Sequence, residues 1–382
     1  MQAILTPSRL FDGDTLYENH ALVIEDGRVS ALVPATDVDM TGATDYPDCL
    51  AVPGFVDLQV NGGGGVLFNA APEVATLEAM ARAHRAYGTT GFLPTLISDT
   101  PQVMRRAIKA VAAAIEQGVP GILGIHLEGP CLSPGRHGAH DAADFVALDD
   151  EMLSLLTSLP TGKTLVTVAP EVAGNDGIAR LVEGGAVVSG GHSEADYETT
   201  RAAFAAGMTG VTHLFNAMPP LLSRAPGMVG AALADEGSWF GIIADGHHVH
   251  PATLAAAVRA KQAGGALLVT DAMPTVGTPD ASFELNGKRI TAVHGRLTTA
   301  DGTLAGAHLD MLSAVNNAAR FAGLDWFEAL RMASLYPARA IGLDGEIGAL
   351  RPGMRASLLI LDAQRRPLEA WVDGEPYGIT SD

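Results

Sequence analysis

The chain has 382 residues, 47% of them hydrophobic and 18% charged, enough for one large domain, or one large and one small, around a sizeable core. Asp+Glu number 43 against 24 Lys+Arg, a formal net charge of −19, which argues against nucleic acid or an anionic membrane surface as partner. An anionic small molecule would have to be held by a local cluster against that global field.

The opening residues Met1 to Pro7 lack a basic segment followed by an apolar run, so no signal peptide is expected. Residues 1–50 read as short strands and turns. Ala21 to Ile24 meets Asp26-Gly27, a hairpin signal, and Val29 to Val33 is the partner strand. The last segment has the same character, with Ser357 to Leu361 followed by Glu369 to Glu375. The two ends, 1–50 and 350–382, are expected to form one small β-sandwich domain.

Between them, over 51–349, short apolar runs alternate with Ala-rich helical stretches. The strands are read at Val52–Leu58, Thr89–Thr95, Gly121–Leu127, Thr164–Ala169, Ala186–Ser189, Gly210–Leu214, Trp239–Ala244 and Ala266–Thr270. Helices are read at 72–87, 101–117, 195–206 and 251–263. Eight strands alternating with helices predict an α/β fold, a (β/α)8 TIM-type barrel, with a doubly wound open sheet as the other architecture. A β insertion with an Asn286-Gly287 turn is expected near 282–306, then closing helices at 308–322 and 325–335. Cys49 and Cys131 fit neither a zinc knuckle nor a disulfide framework, which points to a reducing compartment. No apolar run reaches about 18 residues, so a cytoplasmic chain without a membrane span is expected.

In a barrel, side chains at the carboxyl ends of different strands converge on one face. Those ends offer Gln59 and Asn61, Glu128, His192, His213, His248 and Asp271. One carboxylate and two imidazoles, Glu128, His192 and His213, can hold one divalent metal and leave a fourth position for water. Such an ion brings the pKa of its water down to roughly 7, and Asp271 is suited to take that proton and return it to a leaving group. His126, two residues before Glu128, reads as packing or support. Gly62 to Gly65 lacks both a following Lys-Ser/Thr and GxGxxG spacing, so it reads as tight backbone with no nucleotide.

These stretches resemble the amidohydrolase superfamily and, within it, the N-acetylglucosamine-6-phosphate deacetylase family. The matching motifs are Pro53 to Asp57, His126 to Pro130, Gly191-His192-Ser193, Thr212 to Met218, Ala244 to Val249 and Val269 to Ala272, with Leu335 to Ala340 and Gly348 to Gly353 later. The resemblance implies removal of acetate from N-acetyl-D-glucosamine 6-phosphate to give D-glucosamine 6-phosphate, by a metal-activated water with Asp271 as general base and acid. It implies Glu128, His192 and His213 as ligands to one divalent ion, Zn2+ or alternatively Fe2+, Mn2+ or Co2+. His140 would polarise the acetyl carbonyl. Ala139, Asn216, Ala217, Arg224, Asp245, His248, Leu304, Ala305 and Gly306 would bind substrate, with Arg224 reaching across a homodimer interface. Many superfamily members carry His-x-His where this chain has Gln59 and Asn61. Neutral amides are poor transition-metal ligands, so one metal is expected, with Gln59 beside it. His247 and His250 carry no role from the family and read as structural. Two other readings stand beside this one: another amidohydrolase acting on an N-acyl or cyclic amide, and a non-catalytic sugar-phosphate binder. Asn216, Arg224 and His248 argue against the first, and Asp271 against the second.

Overall fold

The computed structural model describes residues 2–299 and 302–379. Eight parallel strands follow one another in chain order around a barrel: Phe55–Val60, Thr89–Ile97, Gly124–Glu128, Lys163–Val168, Val187–Gly190, Gly210–Val211, Trp239–Ile243 and Ala266–Val269. Most have every residue buried, because helices cover the outside and side chains fill the inside. The barrel closes at its carboxyl end. Asp271 N donates to Gln59 O at 3.0 Å, and Asn61 N donates to Ala272 O at 2.9 Å.

The covering helices start where local chemistry starts them. Thr100 accepts from Val103 N ahead of Pro101, the first residue of Pro101–Glu116. Asp196 and Asp310 cap Tyr197–Ala205 and Met311–Ala322 in the same way. The closing helix read at 325–335 is Trp326–Met332, and a further short helix, Leu335–Ala340, follows it.

Strands from the two ends of the chain form one mostly antiparallel sheet. Thr44–Pro53 lies at its centre, between Gln2–Phe11 and Leu358–Leu361. Alternate residues of the central strands serve two cores. Ala51, Leu358 and Ile360 pack with Leu5 and Leu22 inside the small domain, while Leu50, Val52, Leu359 and Leu361 join the barrel core. A period of two with both faces buried welds this sheet to the barrel. Val52 was read as the start of the first barrel strand. It instead pairs with Leu359, and the barrel strand begins after Pro53-Gly54. Gly54 is required there, since a Cβ would come within 2.0 Å of Thr90 Oγ1.

The insertion is a four-stranded antiparallel sheet, Ser282–Leu285, Lys288–Val293, Arg296–Thr298 and Leu304–Ala307. Asn286 and Gly287 take φ values of 50° and 70°, as a two-residue hairpin needs. Its last strand is tied to the eighth barrel strand: Ala307 N donates to Asp271 O and Met273 N to Ala307 O. The insertion therefore overhangs the carboxyl face.

Candidate active site

A cavity of about 580 Å³ opens on the carboxyl face. At its floor, Glu128 ends the third strand, His192 follows the fifth, His213 the sixth and Asp271 the eighth. His213 was read within a strand reaching Leu214. Here the strand stops at Val211, and the residues beyond leave the extended region, with φ of 32° at His213, 79° at Phe215 and 50° at Ala217. His192 and Asp271 also have positive φ, 46° and 51°. Left-handed backbone is unfavourable for residues with a Cβ, and its concentration at these positions marks a site where the fold stores strain.

Glu128, His192 and His213 converge on one point. Glu128 Oε1 is 3.1 Å from His192 Nε2 and 3.0 Å from His213 Nε2, and the two nitrogens are 3.1 Å apart. His192 Nδ1 lies 2.7 Å from Arg136 O. A carbonyl only accepts, so Nδ1 carries the hydrogen and the neutral ring points its Nε2 lone pair at the carboxylate. Two lone pairs face each other unless a proton or a metal ion lies between them. Ligands about 2.0 Å from a tetrahedral ion are about 3.3 Å apart, close to the spacing seen here. The donor set thus fits a small divalent cation. With protons on those nitrogens and no metal ion, burial raises the Glu128 pKa, but the bonds and charge of the two protonated histidines outweigh it and hold the carboxyl well below its ordinary range.

Glu128, His140 and His192 also bring ligand-type atoms within 4.8 Å of one another. Hydrogen bonding separates His140 from the other two. Ser98 N donates to His140 Nδ1 at 3.2 Å, with Ser98 Oγ 2.9 Å from the same nitrogen. An amide only donates, so Nδ1 is the accepting nitrogen and the neutral ring holds its hydrogen on Nε2. Burial, helped by His192, pushes the His140 pKa down to about 3, so the ring is neutral. His140 therefore offers an N–H to the cavity, where a metal ligand would offer a lone pair.

Asp271 faces this group with 9% exposure. Asn61 Nδ2 donates to its Oδ1 at 2.6 Å, and Gln59 Nε2 lies 3.2 Å from that oxygen and 3.3 Å from Glu128 Oε2. The two amides that stand where His-x-His would bring ligands thus bind the acid itself. Burial first, then the charge of Glu128, raises the Asp271 pKa to about 6.

Beneath lies a ring of buried hydroxyls. His126 bonds Thr95 Oγ1 through Nδ1 and Thr167 Oγ1 through Nε2, and Thr167 continues to Thr212 and Ser189. His126 is part of the floor, with its pKa lowered to about 4 by burial.

The upper wall is made by loops and the insertion. Asn216, Ala217, His248, Leu304 and Gly306 line the cavity, as does Ala139. Ala305 is buried on a neighbouring cavity, behind the insertion strand. Asp245 does not line the main cavity: its carboxylate holds His248 Nδ1 at 2.6 Å and accepts from the amides of His247 and His248. Arg224 is exposed on a separate loop and does not line the cavity of a single chain. His250 accepts from Ala252 N at the start of Pro251–Ala260. Gly62 N bonds Ala272 O, and Gly62-Gly63 pairs with Val66-Leu67 in a tight turn beside the site.

Sequence reasoning missed three contributors. Ser98 follows the second strand, which was read as ending at Thr95 although it runs to Ile97; the barrel rule would have flagged it with the correct end. Arg136 acts through its carbonyl, which leaves no signal in residue type. Arg296 lines the cavity from the insertion and is not at the end of any barrel strand.

Residues 50–381 match the model of the amidohydrolase family. The N-acetylgalactosamine-6-phosphate deacetylase of a Shewanella species is 42% identical over 363 residues, 94% of this chain and 92% of that protein. The N-acetylglucosamine-6-phosphate deacetylase of Haemophilus influenzae is 35% identical over 360 residues, 93% of this chain and 94% of that protein. The crystal structure of N-acetylglucosamine-6-phosphate deacetylase from Pasteurella multocida superposes with a TM-score of 0.95 at 34% identity, covering 99% of this chain and all of that one.

Proposed function

Because the chain belongs to the amidohydrolase family, within its amino-sugar-6-phosphate deacetylase branch, we propose that it hydrolyses the acetamide of N-acetyl-D-glucosamine 6-phosphate, releasing acetate and D-glucosamine 6-phosphate. The observation that carries the chemistry is the meeting of Glu128, His192 and His213 opposite Asp271. Glu128, His192 and His213 would hold one divalent ion, with zinc the first choice for two imidazoles and one carboxylate. When bound, that ion would supply Lewis acidity and a nucleophilic water at neutral pH.

This chain's own residues do the rest. Asp271, held in place by bonds from Asn61 and Gln59, takes a proton from water and passes it to the departing amine. His140 donates from Nε2 to the acetyl oxygen as negative charge gathers there. Asn216 Nδ2 is spent on the carbonyls of His213 and Leu214, so it meets substrate with its oxygen and its backbone. His248, oriented by Asp245, faces the sugar phosphate. Arg224 serves the phosphate from the second subunit of a homodimer. In a single chain its loop leaves Leu221 and Leu222 exposed at 50% and 57%, which suits a subunit contact. Among the described residues no helix is long and apolar enough to cross a membrane.

A second reading changes only the sugar. The 42% identity to an N-acetylgalactosamine-6-phosphate deacetylase exceeds the 35% to the Haemophilus protein, which favours the C4 epimer. The test is acetate release from both 6-phosphates and from unphosphorylated N-acetylglucosamine, using metal-replete and chelated protein. Turnover of at least one phosphorylated sugar, lost on chelation, is expected, and the ratio of the two kcat/KM values assigns the epimer. Turnover confined to an unphosphorylated amide would move the chain to another amidohydrolase activity. Tight binding of sugar phosphate without turnover would make it a binder.

A further inference from the structure

A phosphate monoester in this cavity must be held by a protein of net charge −19, with Glu128 and Asp271 on the cavity floor. Two arginines of the same chain line the cavity, Arg136 and Arg296. Arg136 has one charged partner: its Nε lies 3.7 Å from Glu194 Oε1 without a hydrogen bond, while its carbonyl fixes His192. The Arg296 side chain makes no ion pair or hydrogen bond among the described residues.

The fold puts Arg296 beside the His247-His248 loop. It opens the strand Arg296–Thr298 and follows the tight turn His294-Gly295, whose φ values are 51° and 79°. A Cβ on Gly295 would lie 3.3 Å from His247 Nε2, so the tip of this hairpin rests on the loop carrying Asp245 and His248. Leu297 is fully buried inside the insertion, which turns its neighbour Arg296 to the opposite side, toward the cavity. Asp245 does not compete for it, since its carboxylate is taken by His248 Nδ1 and two amides. An unengaged guanidinium at the wall next to His248 is the group that a phosphate dianion seeks.

We propose that Arg296 is a specificity-determining residue that contacts the substrate phosphate from the same chain as the reacting groups, independently of Arg224. This assignment rests on the sugar-phosphate reading above. It makes the insertion part of the recognition machinery as well as a cover for the barrel.

The experiment measures kcat and KM for wild type, Arg296→Gln and Arg296→Lys on the preferred N-acetylhexosamine 6-phosphate and on its unphosphorylated sugar, with inorganic phosphate as competing inhibitor. Loss of one charge-assisted contact should raise KM for the phosphorylated sugar by about tenfold and weaken phosphate inhibition by about as much. Its kcat should change less than about twofold, since the contact is equal in ground and transition states. The plain sugar should be unaffected, and Arg296→Lys should recover part of the loss. The assignment is overturned if Arg296→Gln leaves the ratio between the two substrates at the wild-type value, or lowers both alike. If the wild type itself does not prefer the phosphorylated sugar, the sugar-phosphate reading fails first and this assignment with it.

Discussion

The cavity has two walls of different construction. Its floor is made of strand ends: Glu128, His192, His213 and Asp271 are 2%, 5%, 4% and 9% exposed, and the amides of Gln59 and Asn61 brace the two carboxylates. Its upper wall is made of loops and a hairpin sheet, where Asn216 is half-buried, the His248 side chain is covered and Arg296 is exposed. A buried, strained floor suits groups whose proton affinity and spacing must be fixed. An open wall suits charges that meet a solvated phosphate. If the division is real, floor substitutions should act on kcat, and wall substitutions, such as those at Arg296, on KM for the phosphorylated sugar alone.

The largest effect is expected at Asp271. Asp271→Asn keeps the shape and the Asn61 contact but removes the proton acceptor, and kcat should fall by about 10³ to 10⁴. Metal content, read by elemental analysis, should stay at the wild-type level, because Asp271 is not among the three converging ligands. Loss of metal together with activity would place Asp271 in the ligand set and blur the floor's division of labour.

His140 comes next, because it crosses the boundary: its loop belongs to the wall, yet it is 6% exposed and bonded to Ser98 beside the floor. His140→Ala should lower kcat by about 10², the usual value of one oxyanion donor, with little change in KM. The tautomer offers a readout independent of rate. In the wild type, nitrogen NMR of this ring should report a bare Nδ1 and a protonated Nε2. The reverse pattern would return His140 to the candidate ligands.

The same division explains what could be read in the sequence. The barrel was legible because the strands are short apolar runs separated by helices, some with a start signal of their own, such as Thr100-Pro101. The floor was legible because strand ends converge, so residues far apart in sequence could be grouped by one rule. Exact ends were less legible. Val52 continues the apolar run of the barrel strand but pairs in the small sheet, and only the Pro53-Gly54 break separates the two. The wall was least legible. Arg296 has an ordinary surface context, and its place over the cavity comes from the hydrogen bonds of Ala307 and Met273 to the eighth strand's end. Such tertiary ties leave no periodic trace in sequence.

The smallest effect sharpens the floor's electrostatics. Asp271 must be ionised to accept a proton, and burial with the Glu128 charge raises its pKa to about 6. Activity should therefore fall as pH drops through that region, with kcat/KM losing about tenfold per unit below the midpoint. A divalent ion at Glu128, His192 and His213 adds positive charge nearby, so the midpoint of the loaded enzyme should lie at or below about 6. Asn61 Nδ2 stabilises the ionised form through its 2.6 Å bond to Oδ1. Asn61→Leu removes that donor and should move the acid limb to higher pH, by about one unit or less, while the plateau rate stays within a few-fold. An acid limb that does not move in this variant would mean that Asp271 is not the titrating group. An amide at a position where relatives of other branches carry a metal-binding histidine would then serve packing alone.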